Sequence, residues 1–548
     1  MTTESPANDP AQEVKERVAR EQAAIKAQLP DADQPTEITS EFIRKCYWRG
    51  ETGYGELYAA VHRGKFLHNN TTGEWLIFDD HHWRIDDLNE HIPAIEQVID
   101  LLWEEIKTIK KEKQELDPED DKSDIKNLDS LIKGMRAKIN KLYDLKGQAA
   151  CIKAARTVQS PLAATSSVFD QHPRLLACKN CVVDLRTGKP RPGRPEDYLY
   201  LSTPIEYHGI VPSKEGRKIW DNTLYTMFED WSMVNFLRRF FGYSATGLTI
   251  EQIFGVFSGG GRNGKRILIE SVMNAMGQYA IPIKPELLLV QKIKRGAGGP
   301  TPELCALQKI RLAVASEVRA NAEFDEAEVK RLSGSDKINV REPHAKRDSY
   351  QEQSHQLIIQ VNDDPKCPGA DIGFWERMIK VQFPFTFVKN RAPNPDEPME
   401  RAADIDLFDK LLSIYPHILG WIVEGAVEYH QVGLEPPPAV REAIKNYQAD
   451  EDIIGRWIES ACEKKLGAES GATDLYENFK AFYHATAGDK EPSQIWFGKQ
   501  LKKRFPRVTK SGYMYYLGIK LIGDPDKPVF CTHMTAHDLS RPFYNLRS

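Results

Sequence analysis

The chain has 548 residues, 41% of them hydrophobic, and a formal net charge of -5. That length predicts about three or four domains, and the charge excludes a uniformly basic nucleic-acid binder, so any basic surface must be local. No run of 18 apolar residues occurs, which excludes a transmembrane helix, and the polar stretch Met1 to Gln28 has no signal-peptide core.

The eight cysteines are scattered, which predicts free thiols in an intracellular protein. Residues 1–38 read as a polar, disordered tail. An α/β domain is predicted over 39–211, with strands at Trp75–Phe78, Trp83–Ile85 and Val182–Leu185. The cluster Asp79-Asp80-His81-His82 reads as a polar turn between two of them. Cys178 and Cys181 form a C-x-x-C pair, but with no second pair nearby they read as buried small residues, not half a zinc site. Inside this domain, about 92–147, Leu128, Met135 and Leu142 repeat every seven residues and Asp117 to Asp121 breaks the pattern. A helical hairpin follows from that, as a packed excursion or as a partner surface. Residues 212–248 read as an aromatic-rich helical collar.

The most specific signal is Ile253 to Phe257, an apolar run, followed by Gly259-Gly260-Gly261-Arg262-Asn263-Gly264-Lys265-Arg266 and a helical pattern from Ile267 to Met276. Strand, G-x-x-x-x-G-K and helix is the layout of a phosphate-binding loop. Glycines let backbone N–H groups close on phosphates, and the helix's positive end adds to the attraction. Lys265 is placed to reach the β- and γ-phosphates of ATP. Arg266 stands where Ser or Thr usually helps hold Mg²⁺.

Three further strand ends carry candidate chemistry. Lys309 to Val318 leads to Glu317, a carboxylate suited to orienting water or holding Mg²⁺ through its water shell. Gln356 to Val361 leads to Asn362, a candidate γ-phosphate sensor. Arg377, in Gly373-Phe374-Trp375-Glu376-Arg377, is a candidate arginine finger acting on a neighbour's nucleotide. Between them, Ile338 to Val340, a basic tip and a return strand predict a hairpin with cations at its end. Arg341, His344, Lys346 and Arg347 in the hairpin, and Lys330 in the helix before it, are candidate DNA contacts, with a solvated basic loop as the alternative for the hairpin.

These motifs, with Ala315-Ser316-Glu317, Val329 to Asp336 and Val361-Asn362, resemble superfamily 3 helicases, in the branch of poxvirus and of phage or plasmid primase-helicases. The resemblance covers about 250–388, and more weakly Trp75–Trp83 and Asn180–Gly188. It implies an AAA+ core over 249–392, a hexameric ring, and 3′→5′ translocation on single-stranded DNA with unwinding at forks or origins. Lys265 is then the Walker A lysine, Glu317 the Walker B acid, Asn362 the sensor and Arg377 the trans-acting finger. ATP and Mg²⁺ are the implied cofactors. A separate primase or initiator is an implied partner, because about 38 residues leave little room for a primase ahead of 39–211. The implied setting is a phage, plasmid or integrated element in the bacterial host cytosol.

A linker and helical lid are predicted over 393–448. Over 449–522, Ser493 to Lys520 carries seven Lys or Arg and no acid. Trp496, Phe497, Leu501 and Phe505 at helical spacing, then a turn at Ser511-Gly512, predict a winged helix. Lys499, Lys502, Lys503, Arg504, Arg507 and Lys510 are its candidate DNA contacts, with protein contacts as the alternative. Residues 523–548 read as a tail. The fold expectation is therefore multidomain α/β: a P-loop ATPase core, an N-terminal α/β and helical region, and a C-terminal winged helix. The main functional alternative is a nucleotide-binding initiator scaffold without turnover, motivated by Arg266 and Ser316. A small-molecule P-loop kinase fits the basic elements poorly.

Overall fold

Five short apolar runs build the central sheet: β1 (Phe254–Ser258), β2 (Ala280–Ile283), β3 (Leu312–Ala315), β4 (Gln356–Val361) and β5 (Met378–Gln382). Their spatial order is β5-β1-β4-β3-β2, and each pairing is parallel. All five carboxyl ends therefore share one edge. β1 and β3 are buried along their whole length, as expected for parallel strands covered on both faces. The computed structural model describes residues 38–291, 299–319, 321–342, 347–367, 370–486 and 491–522.

Upstream, the strands anticipated around Trp75, Trp83 and Val182 are present as Glu74–Asp79, His82–Ile85 and Val182–Asp184. Asp79 pairs with His82 across a turn in which Asp80 takes a left-handed φ of 50°. The insertion is two helices, Ile95–Gln114 and Lys122–Tyr143. Its heptad residues face inward: Met135 and Leu142 share one core with Leu102 and Ile106, and with Leu57 and Tyr58 of the helix Gly50–His62. That favours the packed excursion. Cys178 and Cys181 are buried, free and joined by a backbone hydrogen bond, in the core beneath the collar.

The collar is two helices, Lys214–Phe228 and Trp231–Thr246. Within the predicted linker and helical lid, 393–448, two of the helices are Leu407–Leu412 and Tyr415–Val432. The second is no peripheral lid. It crosses the collar so closely at Gly242 and Gly425 that a Cβ on either would run into the other helix's backbone. Trp220 of the collar and Trp421 meet edge to face with ring centroids 5.7 Å apart. Both belong to the same core as Phe257 of β1.

The C-terminal unit combines helices Ile453–Ala461, Ala472–Thr486 and Gln494–Lys502 with an antiparallel sheet. Arg507–Lys510 and Tyr513–Leu521 form a hairpin turning at Ser511 and Gly512, both left-handed. A third strand, Cys462–Gly471, adds to Tyr513–Leu521. Trp457, Phe479 and Phe497 fill its own small core. Among the described residues, no helix is long and apolar enough to cross a membrane.

Two histidines are sealed in apolar surroundings. His62 Nε2 donates to Ala94 O at 3.0 Å, and His355 Nε2 donates to Leu332 O at 3.1 Å. Burial lowers the pKa of each from 6.5 to about 4. The unfolded chain takes up these protons near pH 6.5 and the folded chain does not. Stability is therefore fully present above pH 6.5 and is lost as pH falls toward 4, by about 3 kcal/mol per histidine at the limit. Urea midpoints measured from pH 7 to 5 should fall, and His355→Gln should flatten the slope. A midpoint independent of pH over that range would contradict the buried neutral state.

Candidate functional site: the phosphate-binding edge

The loop after β1 is shaped by glycine where shape demands it. Gly259 has φ 149°, and a Cβ there would lie 2.7 Å from Phe383 O. Gly264 has φ 87°, and a Cβ there would lie 2.9 Å from Met227 Cε of the collar. Gly260 and Gly261 face open space, with nothing within 4 Å of a Cβ. The loop is braced by its neighbours: Phe383 N donates to Ser258 O at 2.9 Å and Phe387 N to Arg262 O at 2.7 Å. Arg262 itself is left-handed, φ 61°. The helix begins at Lys265 and runs to Met276, two residues earlier than the apolar pattern indicates.

Lys265 is only 6% exposed. Its ammonium donates to Gly259 O, to Val361 O at 2.8 Å and to Asn362 Oδ1 at 3.4 Å. It thus bridges the loop to the carboxyl end of the adjacent strand β4. Burial pulls its pKa below the usual lysine value, and the nearby charge of Asp364 works the other way. Asn263 is 4% exposed; its Oδ1 accepts from Lys265 N at 3.4 Å, while its Nδ2 is buried without a hydrogen-bond partner among the described residues. An orphaned buried donor inside a glycine loop fits an anionic oxygen ligand. Gly259, Lys265 and Asn362 are therefore brought together at one edge of the sheet.

Glu317 stands two residues beyond β3, exposed and left-handed at φ 62°. β3 is the second strand from β1, since β4 lies between them. Glu317 therefore follows a strand whose carboxyl end lies on the same edge as the lysine site, one strand further across. Arg266 points outward and pairs with Glu270 at 2.6 Å, its side chain 84% exposed. The cation-holding half of the site is thin. Asp364 is ion-paired with Lys380, and among the described residues no three His, Cys, Asp or Glu side chains gather as a metal set. The loop residues fit a phosphate, and because Arg266 stands where a hydroxyl otherwise ligates Mg²⁺, the loop itself does not fit a directly ligated cation.

Arg377 lies at the opposite end of the sheet. It immediately precedes Met378, which pairs with Phe254, whereas the loop follows Ser258. Its guanidinium donates to Lys330 O at 2.9 Å and to Gln252 Oε1 at 3.0 Å. The structure does not bring it to Lys265 of the same chain. Lys330 is ion-paired with Asp371 at 2.7 Å. The expected hairpin forms at this end: Ile338–Val340 pairs antiparallel with Ser349–Gln351. Arg341 lies 3.8 Å from Asp348, and Arg347 is exposed. His344 and Lys346 lie outside the described residues.

In the C-terminal unit, Lys499, Lys502 and Arg507 are exposed and form no ion pair among the described residues, and Lys503 is exposed near Asp371. Arg504 pairs with Asp452 at 2.6 Å and Lys510 with Glu469 at 2.5 Å, so these two are already neutralised within the chain. One pair went unread in the sequence. Lys380, 2% exposed in β5, joins Asp364 and lies 4.1 Å over the ring of Tyr447. Its signal was a lysine inside the apolar run Met378-Ile379-Lys380-Val381.

Comparison with known proteins points to viral relatives named as helicases. The family model described as "D5 N terminal like" matches residues 55–229, upstream of the loop. The chain is 24% identical over 356 residues to "Putative helicase L207/L206" of Acanthamoeba polyphaga mimivirus, covering 63% of this chain and 37% of that protein. It is 23% identical over 386 residues to "Putative helicase 022R" of Frog virus 3, covering 58% and 40%. The chain thus spans less than half the length of these curated relatives, which are proteins of viruses of eukaryotes. The apo structure of the NrS-1 C-terminal region aligns over 86% of this chain and 99% of its own, at 10% identity and a TM-score of 0.42, too loose a likeness to bear on function. The chain is thus similar over part of its length to viral proteins named putative helicases, and it carries a D5 N terminal like region ahead of its glycine-rich loop.

Proposed function

We propose that the chain is an ATP-driven DNA motor of the replicative helicase kind, working as a ring on single-stranded DNA. The observation that carries this is the lysine site: Lys265 and the unpartnered Asn263 Nδ2 sit together at the carboxyl edge of a five-stranded parallel sheet, where α/β folds hold ligands. Backbone N–H groups of the loop and the helix's positive end would hold the phosphates, with Lys265 on the terminal ones. Glu317 would orient the attacking water, Asn362 would report the terminal phosphate through Lys265, and Arg377 would serve a neighbouring chain. The helicase names of the relatives support the DNA substrate, as do the exposed Lys499, Lys502, Lys503 and Arg507. Hexamer formation, 3′→5′ direction, an AAA+ core and a winged helix belong to this reading, as does a location in the cytosol of a host cell.

Steady-state ATP hydrolysis with and without single-stranded DNA tests it. DNA should stimulate turnover, and Glu317→Gln should lower it about 100-fold or more, the scale of a lost general base. Tight ATP binding without turnover in the unaltered chain would instead support a nucleotide-bound initiator scaffold. The observation favouring that second reading is Arg266, a cation at the hydroxyl position.

A further inference from the structure

Arg266 breaks a local rule. The helix Lys265–Met276 opens with two consecutive cations and has no acid in its first turn. Positive charge at the positive end of a helix is unfavourable, and acids are preferred there. Such a conflict is sustained where something anionic binds, and sites are where local preferences are broken.

The guanidinium is also readily available. Its only hydrogen bond among the described residues is to Glu270, one helical turn on, and the arginine side chain is 84% exposed. Exposed pairs of this spacing are weak. The charge of Glu317 reaches the same guanidinium, adding to the larger effect of Glu270 in raising its pKa. Arg266 thus stands exposed in the first turn of the helix behind the glycine loop, directly after Lys265. That cation occupies the position where a loop of this kind otherwise carries a hydroxyl for a metal ion. An arginine fork pairs with phosphate oxygens through two parallel charge-assisted hydrogen bonds.

We propose that Arg266 supplies the positive charge that a divalent cation supplies in loops with a hydroxyl at this position, so that the chain binds ATP without a divalent cation. The inference rests on the nucleotide reading of the loop.

The test is binding of a fluorescent ATP analogue to the full chain, in Mg²⁺ and in EDTA. Unaltered protein should differ by less than about 10-fold between the two. Arg266→Thr should weaken by about 10-fold or more in EDTA and recover in Mg²⁺, and Arg266→Lys should keep binding in EDTA. Loss of binding by the unaltered chain in EDTA alone would overturn the inference and leave the nucleotide site standing, as would equal EDTA affinity in Arg266→Thr. If Lys265→Ala leaves affinity unchanged in both buffers, the loop is not the site, and both readings fall.

Discussion

Replacing Lys265 with alanine should weaken ATP binding by two to three orders of magnitude and leave the fold in place. The ammonium is held by Gly259 O, Val361 O and Asn362 Oδ1, so it is already positioned, and little ordering remains to be done on binding. Two charge-assisted hydrogen bonds to phosphate, at about 1.5–3 kcal/mol each, account for a loss of that size. Truncation strands the Val361 carbonyl, but it also removes an ammonium whose burial is unfavourable, as its lowered pKa shows. Those effects oppose, so thermal unfolding should shift little. Equilibrium titration with a fluorescent nucleotide, beside a thermal melt, reads both. Unchanged affinity would end the assignment of the loop.

Arg311→Ala should destabilise the chain by about 3–5 kcal/mol, the cost of stranding two buried carbonyls and opening a cavity in the core. Arg311 is 3% exposed at the entry to β3. Its guanidinium donates to Ala245 O of the collar at 2.6 Å and to Leu175 O of the upstream strand Leu175–Ala177 at 2.7 Å. It lies 4.2 Å over the ring of Tyr279. One planar fork therefore joins the upstream domain, the collar and the central sheet. Alanine leaves two carbonyls without these donors and a cavity beside Tyr279. Lysine restores charge but not the fork, so Arg311→Lys should recover less than half of the loss. Urea unfolding reads this; a loss under about 1 kcal/mol for alanine would show the fork to be dispensable.

What could be read from the sequence was what is local. The loop was legible because its glycines, Asn263 and Lys265 lie within a few residues and their spacing carries the chemistry. β1, β3 and β4 were legible as apolar runs, though β3 stops at Ala315 and leaves Glu317 in a left-handed turn outside it. Ala280–Ile283, with a central proline, and Met378–Gln382, with a buried lysine, gave no clean strand signal. Cys462–Gly471 was missed because Glu463, Lys464 and Lys465 mask its pairing with Tyr513–Leu521. Long-range partners were the least accessible. Lys510 reads as a free cation until Glu469, 41 residues earlier, is found beside it. The helix Tyr415–Val432 likewise reads as a separate lid until Gly242 and Gly425 bring it onto the collar.

The placement of Lys265 and Arg377 at opposite ends of one sheet has a consequence for assembly. β1, whose five residues separate the two ends, spans about 16 Å at the rise of a strand. A nucleotide held at one end cannot be touched by the arginine of the same chain. If both residues act on one nucleotide, neighbouring chains must stack head to tail, each lending its far end to the next. A two-fold dimer, which joins like surface to like, would leave both nucleotides without an arginine. Only a polar arrangement that closes on itself serves every site, and one left open would grow as a filament.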